Sequence, residues 1–363
     1  MKMIKVLALP KYGRMGASSR LRFAQYLPWL QQEGVQITAQ PLLSDELLLA
    51  RYQRGSYGLW PLLRAYAGRW KTLLQRRHFD VLWIEKEALP WLPLWLELAL
   101  LRGVPYVLDY DDAIFHNYDQ HPNSWVRRLF GRRLDKLMAG ATLVVSGNHY
   151  LAQRARDAGA PRVEVVPTVI DLDRYAYMPK SQAGVPAADK LPRIVWIGSP
   201  ATVHYLQVLH EPLRALAERH AYVLRIIGGG AVELPGVQVE VLPWSEATEV
   251  ENIGTCDVGV MPLLDSFWER GKCGYKLIQY MACGLPVVAS NVGVNSEIVQ
   301  DGENGFLAST PDEWVAALGK LLENQSLRAQ MGLAGRQLVE RCYCIQQTGP
   351  RMAKLLHISG GGR

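Results

Sequence analysis

A chain of 363 residues exceeds what one hydrophobic core ordinarily holds, so two domains is the starting expectation. Apolar residues at 49% and charged residues at 20% exclude a disordered tail, a collagen and a coiled coil. The charge is uneven: residues 1–180 carry 25 Lys and Arg against 16 Asp and Glu, a net of +9, while residues 181–363 carry 15 against 18, a net of −3. A basic half suits an anionic partner, whether nucleic acid, lipid surface or small molecule.

The N-terminus reads as a first strand, Ile4-Lys-Val-Leu-Ala-Leu9, rather than a signal peptide. It runs into a loop with Gly13 and Gly16 and then a helical pattern from Ser18. Residues 51–78 hold seven Arg and Lys, no acid, and five aromatics (Tyr52, Tyr57, Trp60, Tyr66, Trp70). No nucleic-acid-binding signature accompanies them, so nucleic acid is not expected as a partner. With the Trp91 and Trp95 stretch nearby, the pattern suits an anionic membrane surface; a solvated face beside a buried helix is the rival reading. The longest apolar stretch, Leu89-Pro-Trp-Leu-Pro-Leu-Trp-Leu, stops at Glu97 and is too short to span a bilayer. Five cysteines without metal-ligand spacing point to reduced thiols in a cytoplasmic protein.

Short apolar runs continue at Val81-Leu-Trp-Ile, Tyr106-Val-Leu-Asp, Thr142-Leu-Val-Val-Ser and Val163-Glu-Val-Val. A polar, proline-rich segment, 178–192, reads as a linker. A second strand–turn–helix start follows at Arg193-Ile-Val-Trp-Ile-Gly198, with Ser199 in the turn. Further runs are Val223-Leu-Arg-Ile-Ile, Val237-Gln-Val-Glu-Val, Val258-Gly-Val-Met and Pro286-Val-Val-Ala-Ser. Strands alternating with helical patterns predict two α/β domains with parallel sheets, ligands sitting outside the carboxyl ends of the strands.

Between the last two runs, Leu277, Ile278, Met281 and Ala282 recur at helical spacing, ending at Gly284. The helix start at Gly274 and Tyr275, with Lys272 and Lys276 beside it, suits a phosphate or diphosphate; an ordinary helix with solvated lysines is the alternative. Arg14, Gly16 and Arg20 offer similar chemistry in the first loop, against a plain strand–helix turn. Asp109-Tyr-Asp-Asp112 admits a metal reading through its carboxylates.

The run Tyr280-Met-Ala-Cys-Gly-Leu-Pro-Val-Val-Ala-Ser-Asn-Val-Gly-Val-Asn-Ser-Glu-Ile-Val-Gln-Asp-Gly-Glu-Asn-Gly-Phe-Leu closely resembles the signature of glycosyltransferase family 4. Gly13 to Arg22 and Val166-Pro-Thr-Val-Ile-Asp171 extend the resemblance over the whole chain. It implies a GT-B fold, two Rossmann-like domains with parallel sheets facing across a cleft. The expected division is an acceptor-side domain over 1–177, the linker, and a nucleotide-sugar domain over 193–344, with a C-terminal helix about 345–358 packing back on the first.

It also implies retaining transfer of a sugar from a nucleotide-sugar donor to a glycan or lipid-linked hydroxyl acceptor in bacterial envelope or exopolysaccharide synthesis. The enzyme would work in the cytoplasm at the inner membrane face, with no cofactor and no metal. A nucleotide-sugar epimerase and a non-catalytic scaffold are the rivals. Asp111, Asp112 and His116 are then candidates to orient or deprotonate the acceptor, with helix capping as the alternative for one of them. Arg14, Gly16, Arg20, Ser199, Lys272, Gly274, Tyr275 and Lys276 are candidates for the donor diphosphate.

The family carries two glutamates eight positions apart; here they fall on Gly271 and Gln279. Gln279 remains a ribose candidate, Glu269, Lys272 or the backbone around Cys273 would take over sugar contacts, and Trp244 and Glu297 complete the ribose, base and sugar set. Trp244 is equally readable as a core tryptophan, and Glu297 as a helix-start residue.

Overall fold

Six segments of the basic half form one parallel sheet: β1 (Ile4–Leu9), β2 (Val35–Ala39), β3 (Val81–Glu85), β4 (Tyr106–Tyr110), β5 (Leu143–Ser146) and β6 (Val163–Val165), in the order β2-β1-β3-β4-β5-β6. Six more form a second: β7 (Arg193–Ile197), β8 (Val223–Ile227), β9 (Val239–Leu242), β10 (Val258–Met261), β11 (Val287–Ser290) and β12 (Gly305–Ala308), in the order β12-β11-β10-β7-β8-β9. Read from β9, the second is the Rossmann order. The computed structural model describes residues 3–176 and 191–361. The expected linker over 178–192 lies outside the described residues except for its last two.

The central strands β3, β4, β5, β7, β8, β10 and β11 are buried on both faces almost throughout, which is why they read as unbroken apolar runs. Edge strands β2 and β12 went unseen in the sequence. Only Val35 is buried in Val-Gln-Ile-Thr-Ala, and the ends Gly305 and Ala308 in Gly-Phe-Leu-Ala, so neither presents an apolar run. The first core gathers Leu7, Leu82, Ile84, Leu108, Leu137 and Val144. In the second unit Val195, Ile278 and Met281 pack on one side, Trp196, Leu213 and Leu318 on the other.

The chain divides into two compact units that differ from the expected boundaries. The first comprises Met1–Thr168, Gly271–Cys273 and Ile345–Arg363; the second, Val169–Arg270 and Gly274–Cys344. Residues 169–176 leave the first unit because Ile170 bridges to Cys344 and the Tyr175 phenol bonds Glu249. The helix Ile345–Gly360 packs in the first unit, where Tyr26 and Thr348 share a buried 2.8 Å hydroxyl hydrogen bond.

Candidate functional site

In the first sheet the strand order reverses between β1 and β3, the place where ligands of such sheets sit beyond the strand ends. The Glu85 carboxylate closes β3 and accepts hydrogen bonds from the Lys11 backbone N–H (2.8 Å) and the Ser19 hydroxyl (2.6 Å). Lys86 follows with φ of 65°, a left-handed conformation that costs a lysine energy and that surrounding contacts must hold. Its ammonium lies 2.8 Å from Asp111 Oδ1 and donates to the Ser18 hydroxyl at 3.3 Å. Burial pushes the Asp111 carboxyl up, but Lys86, through its charge and hydrogen bonding, together with Ser18, overrides it and holds the group below the usual carboxylate range. Lys11 is pushed down by burial and by the Lys86 charge.

Each carboxylate of the Asp109–Asp112 run has its own cation. Asp109 is buried and takes Arg22 Nε at 2.7 Å and Trp83 Nε1 at 3.3 Å; Asp111 takes Lys86; Asp112 takes Lys272 at 2.9 Å. Among the described residues no group of three or more His, Cys, Asp and Glu is placed to hold a metal ion. Lys272, expected at a diphosphate, thus has its ammonium in the first unit, where its carbonyl also accepts from Asn148 Nδ2 at 2.8 Å.

The backbone around it leaves no room for the family's first glutamate. A Cβ on Gly271 would lie 2.4 Å from the Ala113 Cβ and 2.9 Å from its backbone nitrogen. The missing carboxylate is a packing requirement of this chain.

Other first-unit candidates are placed differently from expectation. His116 has both ring nitrogens engaged, Nδ1 with Asp119 at 2.8 Å and Nε2 with the Tyr150 hydroxyl at 2.9 Å, and it begins the short helix His116–Asp119. The ring does not cap that helix, whose N-cap is Phe115 and which starts without a side-chain cap hydrogen bond. A Cβ on Gly16 would lie 2.5 Å from the Tyr12 Cβ, so packing against that side chain holds the position to glycine. The Asp45 carboxylate sits against Gly13 and accepts from the Met15 N–H at 3.0 Å, an unfavourable neighbour for an anion. Arg20 is buried and donates to the exposed Arg14's carbonyl at 3.1 Å.

A buried network missed in the sequence straps the segment after Lys86. Arg133 donates to Glu87 at 2.9 Å, to Glu97, and to the carbonyls of Leu89 and Leu92. Tyr118 donates to Glu87 at 2.7 Å and receives from the N–H of Trp91, itself at φ 63°; Tyr66 donates to the Pro90 carbonyl. Burial pushes the Glu97 carboxyl up to about 7, against the pull of Arg133. The one signal in the sequence was Glu85-Lys-Glu87, a charged triplet closing an apolar strand.

In the second unit the order reverses between β7 and β10. Gly198 and Ser199 follow β7; the Ser199 N–H donates to Thr202 Oγ1 at 3.1 Å, making a tight turn there. The helix Tyr275–Ala282 starts at Gly274, whose φ of 65° and Cβ position 2.3 Å from Ile298 Cδ1 require glycine. Lys276, in its first turn, places its ammonium 5.5 Å from the Trp196 ring centroid. Gln279 is buried and donates from its amide to the Tyr175 hydroxyl at 3.0 Å. Glu269 is also buried and holds the hydroxyls of Tyr205 (2.6 Å) and Ser266, which argues against its taking over sugar contacts. Trp244 is half-buried and donates from its indole nitrogen to Glu249 at 2.8 Å; Glu297 is exposed on the helix Asn295–Ile298.

Comparison with known proteins follows the same division. The description "Glycosyl transferase 4-like domain" matches residues 6–168, and "Glycosyl transferases group 1" matches 191–324. Over 227 residues the chain is 24% identical to D-inositol 3-phosphate glycosyltransferase of Nocardiopsis dassonvillei, covering 55% of this chain and 52% of that protein. It thus spans about half the length of that relative. Over 328 residues it is 28% identical to the GDP-mannose-dependent alpha-(1-6)-phosphatidylinositol monomannoside mannosyltransferase of Mycolicibacterium smegmatis, covering 80% and 79%. The crystal structure of Anabaena Alr3699/HepE in complex with UDP matches with a TM-score of 0.70 at 15% identity, over 97% of this chain and 99% of that one. With the first description lying on the first sheet, the second on the Rossmann-ordered sheet, and the solved fold spanning both, the chain belongs to glycosyltransferase family 4 and has the GT-B fold.

Proposed function

We propose that the protein transfers a sugar, with retention, from a nucleotide-sugar donor to a hydroxyl of a lipid-linked or polysaccharide intermediate in bacterial envelope assembly. The observation that carries this reading is the pair of strand-order reversals, each lined by groups suited to its role. The second unit offers small residues, a helix start and Lys276 for a diphosphate; the first offers Asp111 and Asp112 for a hydroxyl. Relatives named for phosphatidylinositol and inositol phosphate acceptors, and a neighbour solved with UDP, support the substrate classes.

Metal-independent transfer is favoured because each carboxylate of the Asp109–Asp112 run already faces a cation. The leaving diphosphate would be stabilised by fixed dipoles and lysine charge. A thermal-shift screen over UDP-, GDP-, ADP- and dTDP-sugars tests the donor reading, since a ligand of the native state raises its melting temperature. Replacing Lys276 by alanine is expected to cut turnover about tenfold or more, the worth of one charge-assisted contact, with melting unchanged. Lys272→Ala should lower it too, and turnover should survive EDTA. Loss of activity in chelator, restored by Mg²⁺, or full activity in both alanine variants, overturns this scheme.

Peripheral binding to the inner membrane face belongs to the same proposal. Helix Leu59–Leu74 exposes Leu59, Trp60, Leu63, Trp70 and Leu74 beside Arg64 and Lys71. Among the described residues no helix is long and apolar enough to cross a membrane. Arg69 drops out of the basic set. It is buried, donates to the carbonyls of Pro10 (2.7 Å) and Gln40 (2.8 Å), and burial pulls its guanidinium down to about 10. Replacing Arg54, Arg64, Lys71 and Arg77 by glutamine is expected to weaken binding to anionic liposomes more than about a hundredfold, since each basic group contributes on the order of 1 kcal/mol there. Flotation unchanged by these substitutions, or by raised salt, refutes the membrane role.

A further inference from the structure

Four side chains of the second unit form one hydrogen-bonded relay in which every donor is identifiable. Gln279 Nε2 donates to the Tyr175 hydroxyl at 3.0 Å, and that hydroxyl donates to Glu249 Oε1 at 3.0 Å. The other oxygen, Oε2, receives the Trp244 indole N–H at 2.8 Å. Arg174 Nη2 adds a fourth contact, 3.2 Å from Oε1. Gln279, Tyr175 and Glu249 are buried, and burial pushes the Tyr175 phenol well above its ordinary range, so it stays protonated and donates. The relay therefore holds one carboxylate, on Glu249, and it needs an amide at 279. A phenol with one proton can serve only one carboxylate.

Trp244 is the member that reaches solvent. It lies two residues beyond β9, with one side packed on the core. A Cβ on Gly228 would come within 2.9 Å of the Trp244 Cβ and 2.5 Å of the Gly198 carbonyl, so the glycine at the end of β8 lets the chain at Trp244 approach closely. A half-buried ring, fixed by its N–H at the carboxyl end of a parallel sheet, is suited to stacking on a planar heterocycle.

We propose that Glu249 is a positioning residue which, with Tyr175 and Gln279, fixes Trp244 as a stacking platform for the donor's nucleobase. This rests on the reading that the second unit takes the nucleotide. With an amide at 279, the single carboxylate of the relay is that of Glu249, on the helix Glu249–Gly254. The charged and titratable groups around it are Arg174, Glu246, Tyr275, Cys283 and Arg336.

The test exchanges the charge. In Gln279→Glu two carboxylates compete for the Tyr175 proton, so one must stay protonated and its pKa rises above the unfolded value. Stability is then retained at low pH and lost as pH rises. The expected result is a melting temperature that falls from pH 6 to pH 8 relative to wild type. Affinity for UDP and GDP, measured by calorimetry, should weaken at least tenfold at pH 8 and recover at pH 6. Adding Glu249→Gln restores a single carboxylate and should return both quantities toward wild type, while Trp244→Ala should lose nucleotide affinity at either pH without the pH-dependent melting. A Gln279→Glu variant that melts and binds like wild type, a double variant no better than the single, or Trp244→Ala with wild-type affinity each overturns the inference. Failure of wild type to bind UDP or GDP at all would instead refute the nucleotide reading beneath it.

Discussion

Replacing Arg133 by methionine is expected to destabilise the protein by about 3–5 kcal/mol, because it strands two carboxylates in the interior. Arg133 and Glu97 are essentially inaccessible, and Glu87 nearly so. Desolvation of both acids is offset by one guanidinium, which also holds the carbonyls of Leu89 and Leu92. With the cation gone, Glu97, which burial already pushes up to about 7, loses the pull that opposes that rise. Its folded-state pKa then lies further above the unfolded one, so the deficit should be smaller at pH 5 than at pH 8. Denaturant unfolding at both values checks this, with Arg154→Met as comparison. Arg154 pairs with Asp135 at the partly exposed surface, where about 1 kcal/mol or less is at stake. Equal losses in the two variants would mean that the buried network contributes no more than a surface pair.

The second large effect is expected at Lys86. Lys86→Met leaves Asp111 buried without its ammonium and should likewise cost about 3–5 kcal/mol at neutral pH. Asp111 is held below the usual carboxylate range, so its contribution is present above the unfolded pKa and lost as pH falls through the folded one. The variant's deficit should therefore be full at pH 7 and shrink below about pH 4, where a neutral Asp111 needs no cation. Adding Asp111→Asn should recover most of the loss, since removing both charges of a buried pair is far milder than removing one. A double variant as unstable as the single would assign Lys86's role to its backbone conformation and not to the ion pair.

The central strands were legible because burial on both faces forces continuous apolar runs: Val81-Leu-Trp-Ile and Arg193-Ile-Val-Trp-Ile needed no tertiary information. Val35–Ala39 and Gly305–Ala308 were not, because an edge strand half open to water keeps polar or small residues. The Gly274 helix start was found from its apolar spacing. The candidate acids at 111 and 112 were found from their place at a strand end, but their cations were not. Lys86, Arg22 and Lys272 come from three separate stretches of chain, and nothing in local periodicity says that a lysine will turn inward. Surface charge was over-read for the same reason: Arg69 sits among exposed arginines in sequence, yet its helix register turns it onto backbone carbonyls. His116 shows the converse, a residue with suitable chemistry whose ring nitrogens are already engaged.

The return of Ile345–Gly360 to the first unit bears on how the chain is made. This helix packs on β1 and β3, and its Gly349 lies against Trp29, so the first sheet leaves the ribosome long before the element that covers it. At about 5–20 residues per second, the stretch from Thr168 to Ile345 takes on the order of 10–35 s to synthesise. Throughout that interval the nascent first unit exposes apolar surface to solvent, and Thr348 is not yet present to meet Tyr26. Folding of the N-terminal half is thereby coupled to translation of the C-terminal half. Ribosome-bound chains stalled before residue 345 should engage chaperones and protease in a way that chains stalled well past residue 360 do not.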